Sequence, residues 1–118
     1  MSGSLQVPLQ VTLRNVPRSD ALDEEIRRRA DKLQTFHPRL SGCRVTVERV
    51  SAHQRQGHEF QVHLDVRAPG QPEIVVDHRH GEDLAVTVRE AFDVMDRKLD
   101  ELARQPRRPS RAAAPPAS

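Results

Sequence analysis

Leu5, Val7, Leu9, Val11 and Leu13 alternate with Gln6, Pro8, Gln10, Thr12 and Arg14. A period of two places one set of side chains on each face of a strand, so this stretch predicts a strand with one buried face. Pro8 cannot donate a ladder hydrogen bond, which favours an edge strand or a bulge there. Asn15-Val16-Pro17-Arg18 breaks the strand, and Ser19 or Asp20 can cap a following helix. Acidic Asp23, Glu24 and Glu25 suit its first turn, where the helix dipole favours negative charge. Leu22, Ile26, Ala30, Leu33 and Phe36 recur at helical spacing as one apolar stripe, and His37-Pro38 ends the helix.

The period then returns to two. Cys43, Val45 and Val47 alternate with Arg44, Thr46 and Glu48 in a second strand through about Val50. The polar stretch from Ser51 to His58 reads as a hairpin loop. Phe60, Val62, Leu64 and Val66 alternate with Gln61, His63, Asp65 and Arg67 in a third strand. Ala68-Pro69-Gly70-Gln71-Pro72 is a turn, and Ile74 to Asp77 a short fourth strand. Glu82 and Asp83 open a long helix with the stripe Leu84, Val88, Ala91, Phe92, Met95, Leu99 and Leu102, which Pro106 stops.

The order β-α-β-β-β-α gives an α+β fold. Two helices, each with a single apolar stripe, cover one face of a four-stranded sheet. The first strand–helix–strand unit should bring its two strands together in parallel by a right-handed crossover. Residues 1–105 form one domain. Residues 106–118, with Arg107, Arg108, Arg111 and several Pro and Ala residues, read as a disordered tail.

Composition narrows the chemistry. Among 118 residues 36% are hydrophobic and 31% charged, so a thin aliphatic core must serve one domain. No apolar run approaches a membrane span, Met1 to Gln10 lacks a signal-peptide pattern, and the one cysteine excludes an internal disulfide; these features point to the cytoplasm. The net charge of +2 is a mild basic bias, unevenly spread: the segment from Glu82 to Arg104 holds four basic and seven acidic residues. Any polyanion site must therefore be a local patch.

Candidate patches exist on both helices. At the helical repeat, Arg28, Arg29 and Lys32 fall together on one flank of the first helix. Arg97 and Arg104 lie a heptad apart on the outward face of the last, with Lys98 beside Arg97. If the helices lie side by side, such groups can line a groove suited to phosphates. On pattern alone the commoner reading is a solvated surface with ion pairs Glu24–Arg28, Glu25–Arg29 and Asp93–Arg97. All three Phe residues fall on core stripes, leaving no aromatic platform for bases.

Other chemistries are weaker. His78-x-His80 could place two imidazoles together, with His53, His58 or His63 approaching from the hairpin. The four-ligand pattern of a structural zinc site is absent, however, and His63 falls on the predicted solvent side of its strand, so no metal or other cofactor is expected beyond adventitious binding to surface histidines. Cys43 points inward with Val45 and Val47 as a core residue, not a nucleophile. The acidic residues are scattered, and there is no Gly-rich phosphate loop. A binding protein is expected, not an enzyme acting on a small molecule.

Several short motifs carry a resemblance. The β-α-β-β-β-α order, Asp20-Ala21-Leu22 opening the first helix and Lys32-Leu33 near its end resemble the ribosome hibernation-promoting factor and ribosome-associated inhibitor family. So do Gly81-Glu82-Asp83-Leu84 opening the last helix, Val88, and Arg97 two residues before Leu99. Val7-Pro8-Leu9-Gln10-Val11-Thr12 and Arg89-Glu90-Ala91-Phe92-Asp93 are most similar to a branch often fused to a cold-shock domain; no such domain follows in this sequence. The resemblance spans about residues 7–104.

It implies a fold similar to the double-stranded-RNA-binding domain. It also implies a monomer that inhibits translation by occupying the tRNA and messenger channel of the small ribosomal subunit, with basic helix residues on its rRNA. Carried over by position, Arg29 and Lys32 match basic sites of the first helix and Arg97 one of the last. Val94 and Glu101 stand where shorter members often carry Lys, and Ala85 where a Tyr is usual; Lys98 and Arg104 are candidates to compensate. The alternatives are a protein-interaction module without RNA and a binder of another structured RNA.

Overall fold

The computed structural model describes residues 8–51 and 58–104. Along the chain run β1 (Leu9–Arg14), α1 (Asp20–Phe36), β2 (Gly42–Ser51), β3 (His58–Arg67), β4 (Ile74–His80) and α2 (Leu84–Arg104). The α+β order is the one the sequence predicts. Leu5, Val7, the hairpin connection at 52–57 and the tail beyond Arg104 lie outside the described residues. Two strand ends differ from expectation: β3 begins at His58, and β4 continues to His80 because it remains paired with β3 as far as Phe60.

Each helix begins where a side chain replaces a missing backbone acceptor. Ser19 Oγ accepts from Leu22 N at 3.1 Å, and Asp83 Oδ1 accepts from Val86 N at 3.1 Å. The break after β1 is made by Asn15, whose φ of 60° is a left-handed value that asparagine tolerates. Gly70, at φ 76°, supplies the corresponding conformation in the turn before β4, where Gln71 N donates to Ala68 O.

The sheet order is β1-β2-β3-β4, with β1 parallel to β2 and the other pairings antiparallel. Pro8 thus adjoins an edge strand, and its carbonyl still accepts from Cys43 N at 3.0 Å. Register aligns apolar rows across all four strands: Leu9, Cys43, Val66, Ile74, then Val11, Val45, Leu64, Val76. These rows meet Leu22, Ile26, Ala30 and Leu33 of α1 and Val88, Ala91, Phe92, Met95 and Leu99 of α2 in one buried cluster. Each fully buried Val, Leu, Ile, Phe or Met side chain contributes roughly 1.5–3 kcal/mol by leaving water. Both helices therefore share one face. α2 packs over β3 and β4, and His37 at the end of α1 reaches Asp96 of α2 at 2.8 Å.

The opposite face is polar and laced across strands. Arg44 donates to Gln10 at 3.2 Å, His63 pairs with Asp77 at 2.7 Å, and Arg79 with Glu59 at 3.1 Å. No described helix is long and apolar enough to cross a membrane.

Candidate nucleic-acid interface

Glu25, Arg29, Lys32 and Phe36 follow at spacings of four, three and four, which stacks them in one row along α1. Arg28 adjoins this row. Glu25 grips both arginines: Arg29 Nε donates to Glu25 Oε2 at 2.7 Å and Arg28 to Glu25 Oε1 at 2.9 Å. The hydrogen bond from Arg29, reinforced by the charges of both guanidiniums, holds the Glu25 carboxyl below its ordinary value. Of the ion pairs suggested by spacing, Glu25–Arg29 forms, while Arg28 turns to Glu25 in place of Glu24.

One carboxylate cannot neutralise three cations, so the flank stays positive. Arg28 keeps a side chain 68% exposed, whereas Arg29 is only 27% exposed. Lys32 is exposed and has no ion-pair partner among the described residues.

On α2 the three candidates separate. Arg97 is exposed with no ion-pair partner among the described residues, and the expected pair with Asp93 is not made. Arg104 is exposed near Asp100 at 3.8 Å, a contact of little energetic weight. Lys98 is already engaged: its ammonium donates to the Val75 carbonyl of β4 at 2.8 Å. It is a structural strap as much as a free cation.

Phe36 corrects the sequence reading. It does not join the core but is 60% exposed, a large hydrophobic side chain left in solvent. Its distances from Lys32 and Arg29 carried the signal, since they place it on the basic row, whereas Leu33 and Ala30 already close the buried stripe. An aromatic ring beside cations is a surface that nucleic-acid bases or another protein can contact.

The histidines divide between the two faces of the sheet. His63 is on the open face with Asp77, the solvent side that its alternation predicts, so it cannot approach His78 and His80; His53 and the side chain of His58 lie outside the described residues. The group that meets the two imidazoles is Glu90 of α2. Its Oε1 lies 2.9 Å from His78 Nε2 and 3.2 Å from His80 Nδ1. The His78 hydrogen bond, with the charges of His80 and Arg89, lowers the Glu90 carboxyl below its ordinary value.

Cys43 is buried as expected, and desolvation pushes its thiol up to about 11, with Asp65 adding in the same direction. A thiol held neutral is no nucleophile. Asp65 itself is buried on the open sheet face, with Oδ1 unpartnered among the described residues.

This two-layer α+β shape is that of a known class of ribosome-associated proteins. The family model described as Sigma 54 modulation protein / S30EA ribosomal protein matches residues 9–107. The chain belongs to that family, the hibernation-promoting-factor type to which its motifs point. A ribosomal subunit interface protein from Coxiella burnetii superposes with a TM-score of 0.69 at 18% identity, over 84% of this chain and 100% of that one. The N-terminal domain of Protein Y from Thermus thermophilus gives 0.60 at 15% identity, over 83% and 99%. At such identities the likeness is one of fold. No match is found among curated proteins.

Proposed function

We infer that this protein is a hibernation factor that binds the small ribosomal subunit in the channel used by tRNA and messenger, and inhibits translation by occupancy. The supporting observation is the α1 row on a member of this family: Arg28, Arg29 and Lys32 on one flank, with a single carboxylate among them. Such cations grip the sugar-phosphate backbone, and the fold presents them on a rigid helix. Arg97 and Arg104 of α2 extend the contact; Lys98 contributes chiefly by holding α2 to β4. Binding of this kind needs no cofactor or turnover, and it takes place in the cytoplasm with the protein as a monomer.

Sedimentation through a sucrose gradient tests the reading. The wild-type chain should travel with small subunits at low salt and leave them as salt rises. Reversal of Arg28, Arg29 and Lys32 to Glu should abolish co-sedimentation with the circular dichroism unchanged. Retained binding removes this flank from the mechanism. Absence of binding by the wild type at low salt favours a protein-interaction module instead.

A further inference from the structure

We propose that His78, His80 and Glu90 form a site for one divalent transition-metal ion of the zinc class, clipping the end of β4 to α2. The sequence supplies the pair: residues two apart on a strand share a face, so His78 and His80 both point to the helix side. Their rings lie nearly parallel, at 18°, with centroids 6.3 Å apart. The tertiary structure supplies the third donor. Glu90 projects from the second turn of α2, and its carboxylate oxygen sits between Nε2 of one imidazole and Nδ1 of the other. One ligating atom from each residue lies within 4.8 Å of the others.

That spacing is within reach of coordination. Zinc bonds of about 2.0–2.1 Å to nitrogen and oxygen in a tetrahedral array set ligand atoms roughly 3.3–3.5 Å apart, a change that side-chain rotation can provide. Two imidazoles and a carboxylate are the donor set of an open zinc site, leaving a fourth position for water or a donor from a bound partner. Borderline N and O donors select zinc-class ions over calcium or magnesium.

Packing alone does not account for the residue types. The core-facing row Leu13, Val47, Val62 continues into His78, an imidazole where the other rows end in Ile74 and Val76. The backbone beneath is pinned, because Thr87 Oγ1 donates to the His80 carbonyl at 3.0 Å. His80 is half exposed, which leaves the ion a path from solvent. Arg79, between the two histidines in sequence, turns to the opposite face and pairs with Glu59.

The test uses the untagged full chain. Cobalt(II) should bind with one equivalent and give the visible bands of a low-coordinate N/O site, and zinc should displace it. Zinc should also raise the melting temperature, since an ion bound only by the folded state stabilises it. His80→Ala and Glu90→Gln, at partly exposed positions that keep the fold, should each weaken binding by at least about tenfold. His63→Ala, on the other face of the sheet, should not. Binding weaker than roughly 100 μM, or binding that survives both His80→Ala and Glu90→Gln, means an adventitious ion only and overturns the proposal.

Discussion

The ammonium of Lys98 donates to the main-chain carbonyl of Val75 at 2.8 Å, so a side chain counted among the RNA contacts ties α2 to β4. Lys98→Met should therefore cost about 0.5–1.5 kcal/mol of stability, read from the urea midpoint, while ribosome affinity falls less than in Arg97→Met. An unchanged midpoint with a large loss of affinity would make Lys98 an RNA contact after all.

Glu25 restrains two of the cations it sits among. Glu25→Gln should release Arg28 and Arg29 and tighten ribosome association, measured by pelleting at several salt concentrations. Stability should fall at pH 7 by up to about 1 kcal/mol, as for a pair still partly open to solvent. The sign with pH follows from the lowered carboxyl: its contribution is present above the ordinary value of 4.5 and is lost as pH falls through the folded-state value. The gap between wild type and variant should close in acid; a gap that widens there contradicts the pairing.

The salt response distinguishes phosphate contacts from surface ornament. Each of Arg28, Lys32 and Arg97 that meets a phosphate should, when replaced by Ala, reduce the slope of log affinity against log salt by about 0.7–0.9. A substitution that leaves the slope intact identifies a side chain outside the interface.

Phe36 and Phe92 should respond in opposite ways. Phe36→Ala, at an exposed position, should change stability by no more than about 0.5 kcal/mol yet weaken ribosome binding. Phe92→Ala, in the core, should cost about 3–5 kcal/mol. Thermal melts and pelleting measure both, and full binding by Phe36→Ala would leave the exposed ring without a part in the interface.

Cys43 should resist thiol reagents at pH 8 in the native state and react fully in denaturant. Both burial and a thiol raised to about 11 withhold the reactive thiolate. Rapid native labelling would show that β2 opens readily.

Much of this was legible in the chain because it depends on local rules. Period two at Cys43–Val47 and Phe60–Val66, helical period at Leu22–Leu33 and Val88–Leu99, and helix starts at Ser19 or Asp20 and at Glu82-Asp83 each depend on near neighbours. The flank holding Arg28, Arg29 and Lys32 follows from helical geometry in the same way. Phe36 is the exception: its residue type suggests the apolar stripe, but its spacing sets it beside Arg29 and Lys32.

What spacing cannot supply is a partner from another element. That Lys98 reaches Val75, that His37 meets Asp96, and that Glu90 joins His78 and His80 depend on where α2 settles over β3 and β4. Burial of the whole apolar cluster fixes that placement. The sequence by itself determined the elements, their order and, Phe36 apart, the apolar stripe each one turns to the core. The tertiary structure decided which polar side chains meet across them, because hydrophobic burial positions a helix without regard to the polar groups it carries along.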